Sequence, residues 1–164
     1  MKDPKVEYTF RYLVSSDFSI LVGWLKEPKV LRWFDDPEYI EKLEKKLEDS
    51  RIQMRIVLYN NNPIAFVQDY DIHKWTDHHL AYLPLGSRGI DTFIGSEKWM
   101  GKGHGAKYLS LLCKMHFDHG VPAMGIDPDP KNLLARQAYK KIGFREDGVV
   151  GNEWGKVLTM SLYA

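Results

Sequence analysis

Apolar residues recur along this chain with a period that switches between that of a strand and that of a helix. Val6 to Tyr12 reads as a first strand. Ser15 and Ser16 can cap a helix that runs through Phe18, Leu21, Val22 and Leu25. A second short helix is expected over Lys29 to Phe34. Pro37 then opens a charged helix, Glu38 to Asp49, with Ile40, Leu43 and Leu47 on one face. Ile52 to Tyr59 and Ile64 to Tyr70 are strands, and Asn60-Asn61-Asn62-Pro63 between them signals a hairpin. Residues 71–87, rich in His, Asp and Trp, lack periodicity and predict a surface loop. Gly89 to Ile94 reads as a buried strand, and Leu109, Leu112 and Met115 mark one side of a helix from about Gly105 to His119. Ala123 to Ile126 is a short strand, broken by Asp127-Pro128-Asp129-Pro130. Asn132 to Ile142 is a helix closed by Gly143. Lys156 to Tyr163 alternates as a final strand. No repeat, linker or low-complexity tract interrupts the pattern. It predicts a single α+β domain over 1–164 with a mixed, mainly antiparallel sheet.

Composition narrows the classes of function. The chain has 164 residues, 44% hydrophobic and 27% charged, enough for one domain with a real core. Its 23 basic and 22 acidic residues leave +1, which argues against a nucleic-acid partner. The single Cys113 cannot form an intrachain disulfide and, inside a helical pattern, reads as a small buried hydrophobe. No apolar run follows a basic start, and no apolar stretch approaches a membrane span. A cytoplasmic protein that binds neither membrane nor nucleic acid is expected. Monomer and homodimer both stay open.

The densest chemistry lies at residues 100–106, Met-Gly-Lys-Gly-His-Gly-Ala, directly before a helix. Glycines let bare backbone approach a phosphate, and the helix dipole favours its charge. No Walker string is present. Gly101, Gly103 and Ala106 match a dinucleotide loop, with Asp127 about 20 residues on, where a ribose-binding acid is expected. The late position counts against a doubly wound fold, which would follow this loop with several βα units. An acyl-CoA loop is the third possibility.

Here the residues carry a resemblance. Gly86 to Phe144 resembles the GNAT N-acetyltransferase superfamily. Met100-Gly101-Lys102-Gly103-His104-Gly105 follows its Gln/Arg-x-x-Gly-x-Gly/Ala loop, except that Met100 stands where Gln or Arg is usual. Asn132, Ala135, Tyr139, Lys141, Gly143 and Phe144 reproduce its later block, N-x-x-A-x-x-x-Y-x-K-x-G-F. Arg88-Gly89-Ile90-Asp91, the run Asp127 to Asn132, and Trp33-Phe34 look like the aminoglycoside 6′-N-acetyltransferases. The siderophore-biosynthesis acyltransferases are less similar, since they carry His where Asp91 stands.

The resemblance implies the three-layer α/β fold of that superfamily and acetyl-CoA as cofactor, an activated thioester that needs no metal. Asp91 becomes a candidate general base, or an acid that only orients a cationic substrate. Tyr139 becomes a candidate general acid toward the departing sulfur, or a packed tyrosine of the last helix. Backbone amides at Thr92, Phe93 and Ile94 can pair with the pantetheine arm, and an oxyanion donor there is worth about 3 kcal/mol. Met100, Gly101, Lys102, Gly103, His104, Gly105 and Ala106 are expected at the pyrophosphate through backbone N–H groups, with the side chains of Lys102 and His104 solvated. Asn132 matches a pantetheine contact and is also a helix N-cap. Asp127 matches a substrate residue; Glu153, Asp69, Asp71 and Asp36 are looser candidates. Trp33 and Trp24 wall a sugar site or fill the core, and Trp75 and Trp154 are lid candidates. His73, His78 and His79 match no standard zinc spacing and read as solvated loop histidines.

The small-molecule acceptor implied is a primary amine, most specifically the 6′-amine of an aminoglycoside. Another small amine or a peptide N-terminus suits the same motifs. A silent acyl-CoA or dinucleotide binding module is the reading from a different class.

Overall fold

A computed structural model describes residues 7–152 and 155–164. Val6, Glu153 and Trp154 lie outside the described residues. The strands are β1 Tyr8–Tyr12, β2 Ile52–Tyr59, β3 Asn62–Asp71, β4 Arg88–Ile94, β5 Ala123–Ile126, β6 Arg145–Asn152 and β7 Gly155–Tyr163. The helices are α1 Phe18–Leu25, α2 Pro28–Leu31, α3 Tyr39–Lys46, α4 His104–Asp118 and α5 Leu133–Ile142. The strands hydrogen-bond in the order β1-β2-β3-β4-β5-β7-β6. β1–β2, β5–β7 and β6–β7 are antiparallel, and β4–β5 is parallel. The fold is thus mixed α/β, with a mostly antiparallel central sheet flanked by helices.

The chain divides into two compact units, Met1–Gln68 with Thr92–Met100, and Asp69–Asp91 with Gly101–Ala164. The core of the first is apolar strand and helix: Leu21, Leu43, Ile56, Val57, Ile64 and Phe66 are fully buried. Phe93 stacks on Phe66 with ring centroids 5.4 Å apart and meets Phe34 at 4.9 Å. Trp24 sets its edge against Phe93 and covers Gly95, where a Cβ would lie 2.1 Å from the indole. Trp24 is therefore packing, and Gly95 has to lack a side chain. Asn60 and Asn61 adopt φ of 46° and 67°, the left-handed region that a tight hairpin turn requires and asparagine tolerates. The turn is shorter than the sequence suggests, since Asn62 and Pro63 already belong to β3. Arg11 grips Asp17 through two bonds of 2.7 and 2.8 Å, while Val14 N donates to the same carboxylate.

In the second unit α4 buries Tyr108, Leu109, Leu112, Cys113 and His116 on one face. Burial pushes the Cys113 thiol up to about 12, so it is inert packing, as its place in the helical pattern suggests. Gly143 ends α5 at φ 115°, the left-handed C-cap that its glycine predicts. Asp69 is fully buried, with Arg88 Nε 2.5 Å from its carboxylate and His116 Nε2 at 3.2 Å. That ion pair takes Asp69 out of the substrate-binding candidates.

Three expectations need correction. The charged helix is shorter than Glu38–Asp49, because Glu38 takes the N-cap and Leu47 the C-cap. β6 has no counterpart in the sequence reading: it opens on the charged Arg145-Glu146-Asp147, holds Gly148 and Gly151, carries a bulge between Glu146 and Gly148, and among the described residues pairs with β7 alone at the sheet edge. An edge strand with little to bury shows no alternation. The 71–87 segment is not merely a surface loop. Ile72, Leu80 and Leu83 are buried, and Leu80 and Leu83 close over Gly125, where a Cβ would lie 2.9 Å from Leu83.

Candidate functional site

The parallel β4–β5 ladder pairs Arg88 with Met124, Gly89 with Gly125 and Ile90 with Ile126, then stops. Asp91 is the next residue of β4, and Asp127 directly follows β5. β5 ends there because Pro128 follows, and Pro128 O accepts instead from Leu158 N at 2.9 Å. Two carboxylates are thereby brought to the point where the β4–β5 pairing stops, Asp91 within β4 and Asp127 just past β5, the kind of crevice in which ligands bind in open α/β sheets.

The loop after β3 adds a histidine to this pair. His79 Nε2 is hydrogen-bonded to Asp127 Oδ2. That bond raises the His79 imidazole above its ordinary 6.5, and burial opposes it. His78 stacks on His79 with ring centroids 4.2 Å apart. Leu80 N donates to His78 Nδ1 at 3.1 Å, so a neutral His78 carries its proton on Nε2, 3.4 Å from Tyr70 Oη. Burial and the neighbouring His79 lower His78, which keeps it neutral. Tyr70 packs against Gly89, whose Cβ, were there one, would be 2.4 Å from the ring. Trp75 meets Tyr70 edge-on at 5.5 Å and is 38% exposed.

Tyr139, on α5, is buried. Burial first, then Tyr108, Asp127 and Asp91, push its phenol far above the ordinary 10. Burial, Asp91 and Asp127 do the same to Tyr70. Both hydroxyls therefore stay protonated at any working pH. Asn132 caps α5, its Oδ1 accepting from Ala135 N at 3.3 Å, so the N-cap role holds.

The glycine loop has the conformation its sequence predicts. Gly101 and Gly103 have φ of 68° and 83°, and neither has an atom within 4 Å of where a Cβ would stand. Gly103 is the N-cap of α4, a helix of 15 residues. First-turn amides of a helix have no carbonyl partner within it. His104 is buried, not solvated, whereas Lys102 is exposed. Gly105 and Ala106 are half-buried in the first turn. Met100 differs from expectation: its N–H donates to Glu97 O at 3.1 Å and is not available for phosphate.

In the first unit, Thr92 Oγ1 donates to Phe66 O at 2.7 Å. Phe93 is core, so any contact it offers a cofactor is through backbone; Ile94 is half-exposed. Trp33 is half-exposed, with the Arg32 guanidinium 4.7 Å above its ring. Asp36 is bonded to Lys42 at 2.7 Å, and Asp71 caps His73 N at 3.0 Å, which gives both a structural task. Glu153 lies outside the described residues. His79, His78 and Tyr70 gather at Asp127; the sequence singles out only the two histidines, and not for this place. The histidines were legible only as a loop cluster; the one local signal was Leu80 and Leu83, apolar residues that pin the loop. The expectation that His73, His78 and His79 are solvated is wrong: all three are half-buried.

A family model described as an acetyltransferase (GNAT) domain matches residues 14–151. The aminoglycoside N(6′)-acetyltransferase type 1 of Klebsiella pneumoniae is 27% identical over 93% of this chain and 81% of its own length. A kanamycin resistance protein of Rhizobium radiobacter is 37% identical over 46% of this chain and 70% of its own. Among solved structures, aminoglycoside acetyltransferase AAC(6′)-Ib in complex with coenzyme A and kanamycin superposes with a TM-score of 0.84 at 27% identity, covering 95% of this chain and 94% of that one. A match over most of the chain, on a fold with two carboxylates just past the last rung of the β4–β5 ladder and a glycine loop before α4, leaves one assignment: the chain belongs to the GNAT acetyltransferase family.

Proposed function

We propose that this protein transfers the acetyl group of acetyl-CoA to a primary amine, with the 6′-amine of an aminoglycoside as the acceptor. The observation that carries the acceptor class is the carboxylate pair. Asp91 and Asp127 follow the last paired rung of adjacent strands, and an amino-sugar brings several ammonium groups to such a pair. The relatives named for aminoglycoside acetylation support the choice of sugar.

The residues at the head of α4 fit coenzyme A. Gly101 and Gly103 hold left-handed conformations in open space, and a 15-residue helix directs its first-turn amides outward beyond them. Gly103, His104, Gly105 and Ala106 would hold the pyrophosphate by backbone, with Lys102 adding charge from the exposed side. Acetyl-CoA bound there supplies an activated thioester. Asp91 holds the acceptor ammonium and takes its proton, since a protonated amine has no lone pair with which to attack. Tyr139 acts by hydrogen bonding toward sulfur and keeps its own proton, because a phenol raised so far does not release it at neutral pH. Asp127 holds the acceptor beside Asp91.

Thiol release from acetyl-CoA with kanamycin, tobramycin and a panel of simple amines tests this. Turnover with aminoglycosides is expected. Turnover confined to simple amines would replace the acceptor and keep the chemistry, and stabilisation by NAD without any by acetyl-CoA would remove both.

A further inference from the structure

His79 has no part in the reaction as written above, yet it is bonded to one of its two carboxylates. The pair is largely covered, with side chains 20% and 16% exposed. Its position is built. Leu80 and Leu83 pin the loop over Gly125, and His78, locked by Leu80 N, stacks on one face of the imidazole. The titratable groups around it are Asp127 after β5, Asp91 on β4, Tyr70 on β3, Tyr139 on α5, and His78 with Asp77 in its own loop. Both tyrosines stay neutral, and His78 is held neutral by burial. The imidazole bonded to Asp127 is therefore the charge in direct contact with that carboxylate that changes with pH.

We propose that His79 is a specificity-determining residue for the acceptor, its imidazole answering the charge of Asp127 and so setting how many ammonium groups the site holds. This rests on the reading of Asp91 and Asp127 as the acceptor-binding pair. With His79 protonated, Asp127 and His79 are neutral together, and Asp127 adds no net charge toward an acceptor. With His79 neutral, Asp127 contributes its charge as well, and a second ammonium of the same acceptor is held. The bond to Asp127 favours the charged imidazole, so the change falls above the ordinary histidine value. A monoamine gains little from it, whereas a polycation gains a full ion pair.

The test is a charge series at one position. His79→Gln keeps a hydrogen-bond donor without charge, and His79→Lys keeps the charge at every pH used. The quantity read is the ratio of KM for a monoamine to KM for kanamycin, between about pH 6 and about pH 8.5. In the unaltered protein this preference for the polycation is expected to rise by about tenfold with pH, the size of one charge pair largely screened by water. His79→Gln should show the high preference throughout, and His79→Lys the low one. Each amine's own titration is common to all three proteins and cancels between them. The same preference at every pH in all three would overturn the proposal. If no amine is turned over, the proposed function fails separately, and calorimetric binding of kanamycin against the monoamine still decides the role of His79. NMR titration of the imidazole gives a further readout without turnover. Its pKa should fall in Asp127→Asn, and an unchanged value would also contradict the proposal.

Discussion

Asp91 and Asp127 each occupy the first position past the last rung of the β4–β5 ladder, Ile90 with Ile126. Parallel register places like charges side by side without any sequence motif joining them. The His79 imidazole is hydrogen-bonded to Asp127, one member of this pair.

Asp91→Asn should leave the fold and coenzyme A binding intact and lower kcat by about 10²-fold or more, the range of a positioned general base. Steady-state kinetics with a thermal-shift measurement on coenzyme A checks this. An anchor without base function would instead raise KM and spare kcat.

Tyr139→Phe should lower kcat by less, about tenfold, and leave the alkaline limb of the pH–rate profile where it is. The phenol is pushed so high by burial that it does not titrate in that range. Loss of an alkaline limb in Tyr139→Phe would show that the phenol transfers its proton.

Gly103→Ala puts a Cβ on a residue at φ 83°, a conformation that costs a non-glycine residue about 1 kcal/mol. The Cβ itself meets open space. Affinity for coenzyme A, read by calorimetry, should fall several-fold, while KM for the amine stays unchanged.

Gly89→Ala drives a methyl group to 2.4 Å from the buried Tyr70 ring, and Tyr70 is bonded to His78. Overpacking of this kind costs about 1–3 kcal/mol. A lowered Tm is expected, together with a changed acceptor KM as Tyr70 and His78 shift.

Arg11 holds the Asp17 carboxyl below its ordinary 3.8. The folded value lies below the unfolded one, so this pair stabilises the protein above about pH 4. The contribution is lost as pH falls through the lowered value. Asp17→Asn should therefore lower stability at neutral pH and flatten the acid limb of a denaturation-against-pH curve.

The sequence pattern reached most elements because their apolar faces are buried against the sheet. Leu109 and Leu112 on α4, and Ala123 to Ile126 on β5, show this directly. β6 was illegible because an edge strand with two glycines buries too little to write a period into its residues. The glycine loop and Asp91, Asp127 and Tyr139 were legible as residue types through resemblance. His79 was not, because its role comes from a loop folded back to a strand end 48 positions away. Nothing local in a His-His pair announces such a partner. Met100 and His104 were misjudged for a related reason. A turn at Glu97 consumes the Met100 amide, and burial of His104 follows from packing that composition does not reveal.

The most direct test of the account is the rate of thiol release from acetyl-CoA with kanamycin as acceptor, in the unaltered protein and in Asp91→Asn. The account predicts kanamycin-dependent release, acetylation of the 6′-amine in the product, and loss of that rate in the variant. Release no faster than hydrolysis across the aminoglycosides, or an equal rate in Asp91→Asn, would contradict it.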